Sequence, residues 1–289
     1  MKELKKYILD MVVTSAEQIH ERYVLLKLTD PEKPLPDMKP GQFAEVRVDG
    51  SSTTFLRRPI SICFVDRKRN ELWLLVATIG DGTRWMGALR EGDRLNCVLP
   101  LGNGWTLPQP LPVIEGNTLS LTQKDTEAST SFHSGSRLEE RILLVGGGVG
   151  VAPLLYQGVR LTELGYRPTF LLGARTAHDM LITDEFRKYG DVYVTTEDGS
   201  EGEKGFVTNH SILQQQRFDL IQTCGPTPMM KAVARYAILQ GTECEASLEN
   251  LMACGLGACL CCVEKTTEGN LCVCKEGPVF NIKRLLWHN

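Results

Sequence analysis

The sequence predicts a multidomain α+β protein: an antiparallel β-barrel, an α/β domain with a parallel sheet, and a small cysteine-rich C-terminal domain. Three observations predict it. Short strand-like runs fill the chain up to about Gly104, strand and helix patterns alternate from Arg141 to about Gly241, and six of the ten cysteines crowd into residues 254–274. A chain of 289 residues has length for two ordinary domains and a small appendage. Its hydrophobic content of 42% and charged content of 23% are close to globular averages. The formal charge of -3, without a dense basic run, argues against a nucleic-acid or anionic-membrane surface.

The barrel rests on residues 23–28 (YVLLKL), 42–48 (QFAEVRV), 60–65 (ISICFV), 71–78 (ELWLLVAT) and 93–99 (DRLNCVL). These runs are rich in β-branched residues, and Pro or Gly punctuates the gaps, as at Pro40-Gly41, Asp81-Gly82 and Gly102-Asn103-Gly104. Short strands at this spacing suit an antiparallel barrel. The α/β domain rests on buried-strand candidates at 141–145, 168–172, 191–195 and 218–223, with helices expected over 152–165 and 228–240. That alternation implies a parallel sheet covered on both faces. The expected divisions are 1–110, 141–242 and 243–289. Residues 111–140, rich in Ser, Thr, Gly and Glu, read as a linker with a partly mobile surface insertion, or as a lid or partner contact.

The N-terminus has no uninterrupted apolar segment and no small-residue cleavage site, and no run approaches the 18–20 apolar residues of a membrane span. A cytoplasmic protein is expected. Without export, clustered thiols read as a metal site rather than a disulfide framework. Cys254, Cys259 and Cys262 follow C-x4-C-x2-C, and further cysteines stand at Cys272 and Cys274. Gly255 and Gly257 let the backbone curl and leave amides free for sulfur. With a fourth cysteine, this is the plant-type [2Fe–2S] spacing. Structural zinc is the competing reading, because Cys259 and Cys262 alone form a C-x2-C knuckle. Reactive thiols are the weaker option. Spacing leaves Cys272 and Cys274 both open as the fourth ligand, and Cys261, adjacent to Cys262, cannot easily point at the same cluster.

Phosphate-binding signals precede that cluster. Arg58, Pro59, Ile60 and Ser61 place a basic residue and a hydroxyl three positions apart, a pattern that holds phosphate or simply opens a barrel-edge strand. The tract LVATIGDGT ends in a turn whose Gly82 and Thr83 could donate to a pyrophosphate. Sharper is LLVGGGVGVAP: an apolar strand enters Gly146, Gly147, Gly148 and Gly150, and a helix is expected near Pro153. Glycine admits a phosphate while the helix N-terminus supplies N–H groups; the bland alternative is a tight strand–helix turn. Cys224, Gly225 and Pro226 close the last strand of the α/β domain, where such sheets bind ligands, so Gly225 and Pro226 are placed to face a nicotinamide. Cys224 reads equally well as a small buried apolar residue.

Taken together, RPIS, Gly82-Thr83, GGGVGVAP and CGPTPMM occur in the order of the ferredoxin–NADP reductase superfamily, which the chain resembles over its full length apart from residues 112–140. With MACGLGACLCCV and VCKEGPVF around its cysteines, it resembles the dihydroorotate dehydrogenase B electron-transfer subunit family. The resemblance implies a barrel that binds FAD through residues 58–61, through Leu75, Val76 and Ala77, and through Gly82 and Thr83. It also implies an NAD-binding α/β domain and a [2Fe–2S] domain. It selects Cys274, two residues before GPVF, as the fourth ligand beside Cys254, Cys259 and Cys262, and leaves Cys261 a spare thiol. The implied activity is electron transfer from dihydroorotate, oxidised by an FMN-containing catalytic subunit, through the cluster and FAD to NAD in pyrimidine biosynthesis. A heterotetramer of two copies of each subunit is expected, and no catalytic His or carboxylate is assigned. A subunit moving electrons between NAD(P)H and ferredoxin or a sulfur-reducing partner is the alternative; a zinc-bearing scaffold without redox function is a remote one.

Overall fold

The computed structural model describes residues 5–111, 114–115, 118–119 and 140–287. Six antiparallel strands close into a barrel in the order β1-β2-β5-β4-β3-β6. They are β1 (Tyr7–His20), β2 (Tyr23–Thr29), β3 (Phe43–Val46), β4 (Arg58–Asp66), β5 (Glu71–Ala77) and β6 (Arg94–Leu101), with helix α1 (Asp81–Gly87) between the last two. β1 is longer than any strand the sequence suggests. It pairs through its first half with β6 and through its second half with β2, with register shifts at Val13/Ser15 and Gln18/His20. Such bulges let one strand turn a barrel corner, and they break the polar–apolar alternation by which a strand is recognised.

Barrel strands alternate between two cores. Met11, Val13, Leu26, Ala44, Ile60, Ile62, Leu74 and Val76 fill the interior. Leu25, Cys63, Trp73 and Leu75 face outward and pack against Val151, Ala152 and Leu155 of the next domain. The barrel is therefore one wall of an inter-domain core.

Two-residue strands β7 (Ile114–Glu115) and β8 (Thr118–Leu119) pair with each other. The insertion expected over 112–140 otherwise lies, apart from Glu140, outside the described residues. The second sheet comprises β9 (Ile142–Gly147), β10 (Thr169–Ala174), β11 (Asp191–Thr196), β12 (Glu203–Lys204), β13 (Leu220–Cys224) and β14 (Glu243–Ser247), all parallel. Its order is β12-β11-β10-β9-β13-β14 and then β17 (Val279–Asn281), which is antiparallel to β14. The longer helices are α2 (Ala152–Glu163) and α5 (Thr227–Gln240); α3 (Thr183–Arg187) and α4 (Ile212–Gln215) are short. The chain leaves β9 toward β10 on one side and returns to β13 on the other, so a crevice opens at the carboxyl ends of β9 and β13.

The expected boundary at 242/243 does not mark the end of this sheet. β14 continues it in register with β13, Leu220 opposite Glu243, and Cys244 and Ala246 are buried in its core. The C-terminal unit leaves the sheet after Ser247, forms the hairpin β15 (Val263–Thr266) and β16 (Gly269–Cys272) and helix α6 (Val273–Glu276), and rejoins it through β17.

Candidate functional site

Asn103, just past β6, clamps the C-terminal unit to the barrel. Its Nδ2 donates to the carbonyls of Glu276 and Val279, at 3.0 and 2.8 Å, and its Oδ1 accepts from the Val279 amide at 3.0 Å. A Cβ on Gly102 would meet Pro278 at 2.5 Å, so this contact requires glycine. The sheet is tied to the barrel exit by Glu245, which accepts from the amide and hydroxyl of Thr106 and from Gln222 Nε2.

The cysteine loop is seated on the barrel beside this clamp. A Cβ on Gly255, whose φ is +65°, would meet Glu45 Cγ at 2.7 Å and Leu101 Cδ1 at 3.0 Å. Glu45 is 1% exposed, and neither of its carboxylate oxygens has a hydrogen-bond partner among the described residues. Burial pushes its carboxyl up to about 7; Arg57 and Arg58 oppose that rise, and Cys254 adds to it.

Backbone amides converge on the thiols. The Leu256 amide donates to Cys254 Sγ at 3.3 Å, that of Gly257 to Cys274 Sγ at 3.0 Å, and that of Cys274 to Cys262 Sγ at 3.3 Å. Burial raises the Cys254 pKa, but donors from Leu256, Cys259 and Ala258 outweigh it and hold the thiol down to about 6. Burial and the neighbouring Cys262 push Cys274 up to about 12. Cys259 beside Cys254 helps to hold that thiol down, whereas Cys262 beside Cys274 helps to push that one up. Among the described residues no three His, Cys, Asp or Glu gather to hold a single metal ion. Backbone amides aimed at Cys254, Cys262 and Cys274 suit sulfurs that carry negative charge, as the thiolates of an iron–sulfur site do. Cys259 and Cys261 are exposed, whereas Cys262, Cys272 and Cys274 are buried. Cys272 Sγ lies 3.9 Å from the Gly257 carbonyl. Gly257 thus offers the N–H on one side of its Cα to Cys274, which favours a thiolate, and the carbonyl on the other side to Cys272, which favours a protonated thiol.

The second part of the site is a cleft of about 230 Å³ between barrel and sheet. The barrel lines it with Arg22, Tyr23, Ala77 and Ile79, and the sheet with Gly147, Gly148, Gly150, Gly225, Pro226 and Glu249. The glycine turn leads into α2, with Pro at the helix start. Its glycines serve different ends. A Cβ on Gly150 would meet the Gly225 backbone at 2.4 Å, so packing requires glycine there, whereas one on Gly147 would meet only the flexible Met229 side chain closely, its Sδ at 2.6 Å. Gly148, at φ +55°, has nothing within 4 Å. Cys224 is fully buried, and its Sγ lies 3.9 Å from Glu249 Oε1. Burial raises the Cys224 and Glu249 pKa values.

Of the expected flavin contacts, Arg58 has a guanidinium without a hydrogen bond or ion pair to another described residue. Its neighbour Arg57 is committed to Asn96 and to the Glu45 carbonyl. Ser61 is half-buried on β4, opposite Phe43. The side chains of Ile60 and Val76 enter the barrel interior, and Leu75 packs into the inter-domain core; only their backbones are left for a ligand. Gly82 and Thr83 form the first turn of α1 rather than a loop, and the Thr83 hydroxyl is engaged with the Gly80 backbone. The sequence reading missed Arg22, Tyr23, Ile79 and Glu249. They carry no motif and meet only because the barrel docks on the sheet.

A family model described as the iron–sulfur cluster binding domain of dihydroorotate dehydrogenase B matches residues 249–286, and one described as the oxidoreductase NAD-binding domain matches residues 144–235. The chain is 38% identical over 250 residues to the dihydroorotate dehydrogenase B (NAD(+)) electron transfer subunit of Bacillus velezensis, covering 86% of this chain and 87% of that one. It is 36% identical over 274 residues to the subunit of the same name in Lysinibacillus sphaericus, covering 93% and 95%. Among solved structures, NADH-dependent reduced ferredoxin-NADP oxidoreductase, studied for flavin-based electron bifurcation, aligns at a TM-score of 0.78 and 26% identity over 99% of this chain and 92% of that one. Phthalate dioxygenase reductase shares the fold at a TM-score of 0.56 and 22% identity, over 79% of this chain and 64% of that one.

Proposed function

Because the chain belongs to the dihydroorotate dehydrogenase B electron-transfer subunit family, we propose that it carries electrons from dihydroorotate to NAD in pyrimidine biosynthesis. Its cofactors are FAD, a [2Fe–2S] cluster and NAD. Dihydroorotate is oxidised in a catalytic partner subunit that holds FMN, in a cytoplasmic complex of two copies of each chain. A bound flavin exchanges two electrons with a nicotinamide and single electrons with an iron–sulfur centre, which suits it to stand between them.

One adjacency carries the reading. The thiol loop rests through Gly255 on Glu45, and Glu45 of β3 pairs with Pro59 of the flavin tract on the neighbouring strand β4. The cluster loop and the flavin tract are thus one strand apart. In this reading Cys254, Cys259, Cys262 and Cys274 hold the irons, with the Leu256 and Gly257 amides donating to the sulfurs. Arg58 holds the flavin phosphates, Ser61 and the backbone of Leu75, Val76 and Ala77 border the ring, and Gly82 with Thr83 offers amides. Gly148 leaves room for the nucleotide while Gly147 and Gly150 keep the turn close. Gly225, Pro226 and the Cys224–Glu249 pair wall the nicotinamide side. The chain's residues position and insulate; none is assigned as acid or base.

The test is dihydroorotate-dependent NAD reduction by the chain co-purified with its catalytic partner, compared with the chain alone. NAD reduction by the complex is expected. A complex that reduces ferredoxin and leaves NAD unreduced would overturn the reading.

A further inference from the structure

The nucleotide-binding half touches the barrel at a second place, away from the thiols. After β10 the chain makes a single turn, Ala177–Asp179, which lies against the β1–β2 turn of the barrel. Asp179 is the point of contact. Its Oδ1 accepts from Arg22 Nη2 at 3.4 Å, and its Oδ2 accepts from the Thr176 hydroxyl at 3.0 Å.

His20 faces the same carboxylate from the end of β1. The Arg22 amide donates to His20 Nδ1 at 3.1 Å, so Nδ1 is an acceptor and a neutral ring carries its proton on Nε2. That Nε2 is buried without a hydrogen-bond partner among the described residues, and the side chain is only 4% exposed. It lies 3.7 Å from Asp179 Oδ1, roughly half an ångström beyond hydrogen-bond reach. The His178 ring lies 4.4 Å from that of His20, and the Tyr23 ring lies 5.5 Å from it. A buried N–H without an acceptor is unfavourable, so a small approach of the turn to the barrel would be stabilising. Arg22 and Tyr23, from this same barrel turn, line the cleft opposite residues 147–150.

We propose that Asp179 is a positioning residue: with Arg22 and His20 it clasps the nucleotide domain to the barrel, and its bond to His20 Nε2–H forms as the cleft closes on a nicotinamide nucleotide. The inference rests on the reading of the cleft as the flavin–nicotinamide site. Asp179 and His20 stand outside the lining of the cleft, which Arg22 alone of the three reaches, and the clasp acts by fixing the distance across it.

The test uses the FAD- and cluster-loaded complex under anaerobic conditions. Reduction of FAD by NADH is followed by stopped flow, together with the charge-transfer absorbance between reduced flavin and NAD. Asp179→Ala is expected to lower the rate at saturating NADH and the charge-transfer amplitude by about tenfold, a fraction of the roughly hundredfold that a misplacement of about 1 Å can cost. FAD content, the cluster signal and NADH affinity are expected to stay near wild type, and Asp179→Asn, which keeps an acceptor oxygen, to recover most of the loss. His20→Asn keeps an acceptor for the Arg22 amide but removes Nε2–H, and is expected to fall in the same direction. Wild-type rates and absorbance in both Asp179→Ala and His20→Asn would overturn the proposal. So would a weakened NADH affinity with an unchanged saturating rate, which would make Asp179 a nucleotide contact. A wild-type complex that retains FAD but is not reduced by NADH would refute the reading of the cleft itself.

Discussion

The amide of Gly257 donates to Sγ of Cys274 at 3.0 Å, and this bond separates two cysteines that spacing alone leaves equivalent. Cys272, two residues earlier, meets the carbonyl of the same glycine at 3.9 Å. Gly257 has a φ of +79°, and a Cβ there would meet Lys275 at 2.8 Å, so the backbone turn that sorts the thiols depends on glycine.

Replacing Cys274 with Ser is therefore expected to remove most bound iron and inorganic sulfide from a content of about two irons per chain, and to abolish the cluster's paramagnetic signal after reduction. Replacing Cys272 or Cys261 with Ser should leave iron content and signal close to wild type. Iron and sulfide analysis of anaerobically prepared protein checks both.

The two adjacent arginines should separate just as cleanly. Arg58→Ala removes a guanidinium that makes no bond within the described protein, so folding should hold while FAD binding weakens by about 1.5–3 kcal/mol, the value of hydrogen bonds to a charged group. Arg57→Ala removes the bonds to Asn96 and Glu45. It should lower the melting temperature even with FAD in excess. Flavin titration and thermal melts of the two variants distinguish them.

Asn103→Ala strips three hydrogen bonds from the joint between barrel and C-terminal unit and leaves the Val279 amide without its acceptor. The expected cost is about 2–3 kcal/mol of stability. Iron should be lost at lower temperature than in wild type, while FAD is retained. Parallel melts followed by cluster and flavin absorbance would show the order of release.

His210 is expected to make stability pH-dependent. It is buried, its Nδ1 accepts from the Ile212 amide at 3.0 Å, and burial holds its pKa below the usual histidine range, with Glu203 partly opposing. Between the depressed folded value and the ordinary value of about 6.5, the unfolded chain binds the extra proton. The stability contributed is present above about 6.5 and is lost as pH falls through the folded value. His210→Asn, which keeps an acceptor for Ile212, should be less stable than wild type at neutral pH, with the gap narrowing on acidification. Denaturant melts across pH 5.5–8 measure it.

Much of this protein was legible in one dimension wherever function imposes a local pattern. The thiol spacing from Cys254 to Cys262 and the glycine-rich turn at residues 146–150 are short, and their chemistry depends on neighbours in sequence. The alternation of strand and helix likewise implied the parallel sheet, because periodicity records which face is buried. What lay beyond reach was contact between distant segments. The β1 strand was hidden by its bulges, and β14 looked like part of the cysteine domain until its pairing with β13 placed it in the sheet. Gly255 against Glu45, Asn103 against Val279, and Asp179 against Arg22 join residues whose partners are set by docking. By itself the sequence determined the three parts and most of the chemistry each carries. The tertiary structure alone decided which of two cysteines receives an amide, which of two arginines is left open, and which barrel residues face the cleft, because a hydrogen bond depends on distance in space and not along the chain.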